Sequence, residues 1–259
     1  MKMYFDENGR FNTSLINSPV IKKSRNYFAL ETNLKNNINL EVIYKNFENN
    51  FDLTKNISLN IFKEKIQELY NQISLDENIK NLLKGFSFPY LLPIMRNNNL
   101  GKNIQDIYLP ALEKSYKNKF PNYDFINHIK YNLDNEVLIR EGSRYKDYLK
   151  NNPEEEKVGI LFPCLNEFSF QASEEAINFL PKQFNLSGAY EVISCLIGTP
   201  EILYRKEKYP PLLWFSSLHK KDENNTSFHI EPYGYNLTLN ERTHLNLSAE
   251  YWWHSICFS

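Results

Sequence analysis

A chain of 259 residues, 42% hydrophobic and 15% aromatic, can bury roughly three quarters of its unfolded surface, as one large domain or two small ones, without a metal or a disulfide. Its 30 basic and 31 acidic residues divide into 23 − 20 = +3 over residues 1–157 and 7 − 11 = −4 over residues 158–259; neither part has the basic excess that phosphate neutralisation needs, which argues against nucleic acid as the main partner. Cys164, Cys195 and Cys257 form no C-x-x-C pair, so a zinc knuckle, an iron–sulfur site and a disulfide framework are excluded and reduced thiols in a cytoplasmic protein are expected.

Residues 1–50 are rich in Asn and Lys, with scattered apolar positions such as Phe28, Leu30, Leu40, Val42 and Ile43 that fit short strands or short helices equally. No apolar signal-peptide region accompanies Asp6, Glu7 and Arg10, and no run of about 18 apolar residues occurs, so neither export nor membrane insertion is expected. From Ile61 the positions Ile61, Phe62, Ile66, Leu69, Tyr70 and Ile73 recur at three and four and predict an amphipathic helix. Ser74-Leu75-Asp76-Glu77 reads as the capping box of a second helix carrying Ile79, Leu82 and Leu83, closed by Gly85 as a left-handed C-terminal residue. Residues 85–94 hold Pro89 and Pro93, which forbid a regular helix and predict a buried extended segment. Further helices are expected over 104–117, kinked or started near Pro110, and over 124–131.

The polar stretch 141–157, ending in Pro153-Glu154-Glu155-Glu156-Lys157, predicts a short helix and an exposed connection. It divides a mostly helical part, 1–157, from a β-rich part, 158–259, with two or three helices, although one continuous domain remains open. In the second part, 158–162 and 166–171 predict strands, Ser173 and Ser187 start helices, and Thr199-Pro200-Glu201 has the form of a fresh N-terminal cap. Segments 212–218, 227–231, 235–239, 244–248 and 251–258 are separated by turn residues, the pattern of an antiparallel meander. The expected fold is therefore α+β, a helical N-terminal part with a mainly antiparallel β-sheet C-terminal part.

Five short pieces, Phe88-Pro89-Tyr90-Leu91-Leu92-Pro93, Leu186-Ser187 leading into Tyr190-Glu191, Thr199-Pro200-Glu201-Ile202-Leu203, Pro211-Leu212-Leu213-Trp214-Phe215-Ser216 and a closing Trp followed by Cys257, occur in an order that resembles a bacterial family known only as a domain of unknown function. The resemblance spans roughly residues 86–259. It implies no activity, and where that family often has a histidine before the closing tryptophan this chain has Tyr251 before Trp252.

Four of the five histidines and all three tryptophans fall between Trp214 and Ser259, so candidate chemistry concentrates there. His229 and Glu231, at i and i+2 of a strand, point the same way; a third ligand from His244 or His254 would complete a two-histidine, one-carboxylate catalytic site for zinc or iron. The same alternation equally describes a strand with a polar face of His229 and Glu231 and a buried face of Phe228 and Ile230. His254 and Cys257 could act as base and thiol, but three residues apart on a strand they face opposite ways. His128 reads as a core or boundary residue and His219 as solvated. Trp214, Tyr233, Tyr235, Tyr251, Trp252 and Trp253 form the other candidate set: with Trp252 and Trp253 on opposite sides of a strand and one of them outward, they suit a protein or small-molecule partner without a cofactor, while the same residues fit an aromatic-rich sheet core. The eight glycines never cluster and Gly-x-Ser-x-Gly is missing, which removes the dinucleotide, P-loop and serine-hydrolase elbow readings. Two functions follow as expectations: a binding or interaction module using an aromatic C-terminal β face, and, as the alternative, a metal-assisted enzyme using His229, Glu231 and a second histidine.

Overall fold

The computed structural model describes residues 3–36, 38–53, 56–95, 98–150 and 155–259. Residues 3–30 are largely irregular, pinned by buried Phe5, Phe11, Ile16 and Leu30. After α1 (Asn33–Asn36), α2 (Leu40–Asn50) begins where the Asn39 side chain accepts from the backbone N–H groups of Glu41 and Val42, and it buries Ile43, Tyr44 and Phe47. The predicted amphipathic helix is α3 (Leu59–Leu75), capped by Ser58 and burying Phe62, Ile66, Leu69 and Ile73. The second helix expected from Ser74 does not form. Ser74 lies inside α3 with its hydroxyl donating to the Asn71 carbonyl, and the Asp76 side chain accepts from Asn78 N–H, turning the chain into a 3-10 segment, Lys80–Lys84. Gly85 is not left-handed (φ −84°). Its small size serves a close approach instead, since a Cβ on Gly9 (φ +79°) would lie 2.3 Å from Gly85 N.

The apolar Pro-containing stretch is strand β1 (Phe88–Leu92), buried throughout. It is followed by α4 (Leu100–Asn103), a π turn over Ile104–Tyr108, and α5 (Leu109–Lys119). The π turn ends next to Pro110, which lacks an N–H and cannot close the ordinary i→i−4 bond there. Residues 124–131 hold a strand, β2 (Phe125–Asn127), where a helix was expected; its pairing with a neighbouring strand overrides a weak helical pattern. Then come β3 (Val137–Ile139), α6 (Tyr145–Lys150), β4 (Lys157–Asn166), α7 (Phe170–Asn178), β5 (Phe184–Leu186), α8 (Ala189–Gly198), β6 (Leu212–Trp214), β7 (Leu218–Lys220), β8 (Ser227–Tyr233), β9 (Asn236–Arg242) and β10 (Trp252–Phe258). The connection expected at Pro153-Glu154 lies outside the described residues.

Three further local expectations are corrected. β4 ends at Asn166, because Glu167 turns left-handed (φ +66°) and Ser169 caps α7, so 166–171 is not a strand and α7 starts before Ser173. Thr199 closes α8 and residues 200–203 form turns, not a helix. His244 is left-handed (φ +64°), and 244–248 is a turn.

The strands order as β1-β4-β10-β6-β8-β9-β2, with β5 also paired to β10 and a separate β3–β7 pair. Most pairs are antiparallel; β10–β6 and β2–β9 are parallel. The fold is thus α+β with a mainly antiparallel sheet, as expected, but the meander is broken because β10 returns between β4 and β6. β1 and β2, from before residue 157, belong to this same sheet. One hydrophobic core runs from Phe5 to Phe258 and joins both parts of the chain. A smaller cluster of Phe170, Leu212, Trp214, Leu245 and Trp252 lies apart from it.

Candidate functional site

The residues favoured by sequence divide among that smaller cluster, the main core and the surface. Trp214 pairs with His229 across β6 and β8, their ring centres 4.7 Å apart, and Trp252 meets Trp214 at 5.0 Å. His229 is buried, and its Nε2 lies 3.4 Å from Glu231 Oε1. That is close enough for attraction but too poorly aimed for a hydrogen bond, since both ring nitrogens lack a hydrogen-bond partner, as do the buried indole nitrogens of Trp214 and Trp252. Burial pushes the His229 pKa down, against the pull of Glu231. Burial would raise the Glu231 carboxyl, but His229 and Arg242 hold it below its ordinary value.

His254 is committed elsewhere. Its Nδ1 accepts from the Ser216 hydroxyl at 2.9 Å and its Nε2 donates to the Phe168 carbonyl at 3.1 Å. Burial pushes its pKa down to about 3, so it is a neutral structural histidine. His244 is exposed in the turn after β9. Among the described residues no three His, Cys, Asp or Glu side chains come together as a metal-ligand set: His229 meets Glu231, but neither His244 nor His254 completes the group. Cys257 lies in the main core, away from the aromatic cluster that holds His254, and burial raises its thiol well above the ordinary value.

The aromatic set is also divided. Trp252 and Trp253 do face opposite sides, but each side is packed: Trp252 joins the small cluster, Trp253 joins the main core, and both are 4% exposed. Neither is outward, because β10 is a central strand covered on both faces. Trp214 is buried as well and Tyr251 half-buried. Tyr233 and Tyr235 remain on the surface, 75% and 46% exposed, and Tyr235 stacks near Tyr123 (5.0 Å) and Tyr204 (5.7 Å).

A cavity lined by apolar side chains lies elsewhere. About 460 Å³ in volume, it opens between the end of β1, α4, β3, α6 and α8. Leu92, Pro93, Met95, Leu100, Ile139 and Leu149 supply apolar walls, and Tyr190 and Asn103 add polar groups. Pro93 ends β1 and releases the chain from the sheet edge. Tyr190 is held by a stack on Tyr108 (4.6 Å) and by the Asn103 amide, which donates to its hydroxyl at 3.0 Å. Lys146, Lys150 and Lys157 also line the cavity, with Glu155 as its carboxylate. The Lys157 ammonium donates to the Tyr148 carbonyl at 2.6 Å; burial lowers its pKa, while Glu191 and Glu155 oppose that.

Next to Tyr190, turned into the protein, is Glu191, fully buried. Its carboxylate accepts from Gly188 N–H at 2.9 Å and from the Tyr145 hydroxyl at 3.0 Å. Burial nevertheless pushes its pKa up to about 7, only partly offset by these donors and by Lys157. Behind it, the Tyr90 and Tyr148 hydroxyls meet at 3.1 Å. None of the cavity residues was a candidate site residue in the sequence, although Leu92, Pro93 and Tyr190 stand among the pieces that carry the family resemblance. The one signal was the break at Leu92-Pro93; Ile139, Leu149 and Tyr190 meet the cavity only through tertiary packing.

The fold and cavity define a mixed α+β protein built on a broad, mainly antiparallel sheet with a lined pocket at one edge. No family model, curated protein or solved structure matches this chain. No described helix is long and apolar enough to cross a membrane.

Proposed function

We propose that the protein is a binding protein whose ligand is a small, largely apolar molecule held in the cavity between β1, α4, β3, α6 and α8. The observation that carries this reading is the cavity itself: about 460 Å³, within the 300–1,000 Å³ typical of ligand pockets, with a lining surface that is mainly apolar although Lys146, Lys150, Lys157 and Glu155 also border it. The buried free thiols Cys164, Cys195 and Cys257 fit the reducing cytoplasm as its location. A thermal-shift screen of small apolar compounds tests the reading, because a ligand present at 100 times its dissociation constant stabilises the folded state by about 2.7 kcal/mol. Leu149→Trp, which places a bulky side chain in the cavity, is expected to abolish the shift. If no compound raises Tm, or if hits act equally on Leu149→Trp, the reading is wrong.

The surface tyrosines favour a second reading, contact with a partner protein through Tyr233 and Tyr235, since exposed tyrosines give large contact area at low entropic cost. Tyr233→Ser with Tyr235→Ser would remove that contact and leave cavity binding unchanged.

A further inference from the structure

The cavity has a polar neighbour. A second hollow of about 520 Å³ adjoins it, sharing the wall residues Asn98, Leu100, Ile139 and Lys146, and is lined further by Arg140, Glu141, Ser143 and His219. The two hollows differ in chemistry. Leu92, Pro93, Met95 and Leu149 line only the first; the turn after β3 and His219 of β7 line only the second.

Lys146 stands at the junction. Lys146, Leu149 and Lys150 are spaced i, i+3, i+4 on α6, so they share one side of that helix, and all three line the apolar lobe. Of the cations around the two lobes, Arg140 is engaged, with its Nε 2.9 Å from Glu174 and its Nη1 donating to the Asn224 carbonyl, and Lys157 is bound to the Tyr148 carbonyl. Among the described residues Lys146 and Lys150 make no ion pair. Arg140, Lys146, Lys150 and Lys157 outnumber the two lining carboxylates, Glu141 and Glu155.

We propose that the two lobes form one site for an amphipathic anion, its apolar body in the lobe beside Leu149 and its carboxylate or phosphate head at Lys146, facing the polar lobe. This rests on the binding reading above and adds the class of ligand. The head group needs a cation not already neutralised, at the boundary between an apolar and a polar hollow, and Lys146 occupies that position. Its apolar stem lies along the ligand body while the ammonium stays in water.

Isothermal titration calorimetry of the full chain with octanoate and octyl phosphate below their micellar concentrations, and with octanol below its solubility limit, tests the inference. At least one anion is expected to bind about fivefold more tightly than octanol, and the tighter of the two identifies the head as carboxylate or phosphate. Lys146→Met, which keeps the apolar stem, should weaken the anion by about three- to fivefold, the size of one exposed charge contact, and leave octanol unchanged. Leu149→Trp, or Met95→Trp should the first variant not fold, should remove all three. Octanol binding as tightly as both anions, or an anion preference that survives Lys146→Met, would overturn the head-group assignment and leave the cavity reading standing. Binding unaffected by either cavity-filling variant would overturn both.

Discussion

Glu191 makes the stability of this protein depend on pH in an unusual direction. Its carboxyl, 4.5 ordinarily, is pushed up to about 7 by burial, so between those values the folded chain holds a proton that the unfolded chain has released. Stability contributed by the protonated form is therefore fully present below pH 4.5 and is lost as pH rises to 7. At about 1.36 kcal/mol per pH unit the span of roughly 2.5 units amounts to about 3 kcal/mol. Glu191 is fully buried, so solvent screening does not reduce the figure. Tyr145 on α6, Lys157 on β4, and Cys195 and Cys257 on α8 and β10 face the carboxyl or influence it. The three hydroxyl and thiol groups stay neutral below pH 8 because burial raises them. Urea unfolding of the wild type and Glu191→Gln from pH 4.5 to 8 isolates the effect. The glutamine carbonyl can still accept from Gly188 N–H, and its amide can donate to the Tyr145 hydroxyl. The variant should gain about 3 kcal/mol relative to the wild type between pH 4.5 and 8, whatever its stability at the lower pH. Parallel curves for the two proteins across that range would refute the reasoning.

His254 acts with the opposite sign. With its pKa pushed from 6.5 down to about 3, it stays neutral in the folded chain while the unfolded chain takes up a proton, so stability falls from pH 6.5 toward 3, by up to about 5 kcal/mol. His254→Gln should flatten that limb in acid titrations followed by tryptophan emission; coincident acid limbs would contradict it. Between pH 4.5 and 6.5 the two residues oppose each other, and only the variants separate them. Gly101→Ala should lower Tm by roughly 5 °C, since its Cβ would lie 1.7 Å from the Leu133 carbonyl oxygen and the overpacking costs about 2 kcal/mol. Because Gly101 belongs to α4, which walls the cavity, the same change should weaken octanoate binding in calorimetry, and unchanged binding would mean that α4 does not hold the cavity's shape.

Features with local causes were legible in the sequence. The 61–73 helix follows from apolar spacing, and residues 227–231, 235–239 and 251–258 match β8, β9 and β10 to within a residue at their starts because alternation and turn residues mark them. What failed depended on partners far along the chain. Within 124–131, Phe125–Asn127 became a strand by pairing with β9, and the outward place expected for one of Trp252 and Trp253 was lost when β10 settled between β4 and β6. The pair His229 and Glu231 was legible, because i and i+2 on a strand must share a face; whether a third donor would join them was not, because the turn at His244 and the bonds that engage His254 arise from tertiary contacts.

The cavity shows the same limit more sharply. Its walls come from residues 92–95, 98–103, 139–150, 155–157 and 190, segments that sequence assigns to both sides of a division near residue 157. β1 pairs with β4 across that division, bringing Leu92 beside Lys157, and α8 brings Tyr190 under both. No single segment carries a binding motif; the chemistry is divided among an apolar strand end, a lysine-bearing helix and a tyrosine fixed by Asn103 and Tyr108. A site assembled in this way depends on the strand register: shifting β1 by one residue against β4 would turn Leu92 to the opposite face. Binding and global stability should therefore respond together to substitutions in β1. Those at the exposed positions Lys146 and Lys150 of α6 should change ligand preference with little effect on folding, whereas the buried Tyr145 and Tyr148 of the same helix belong to the core.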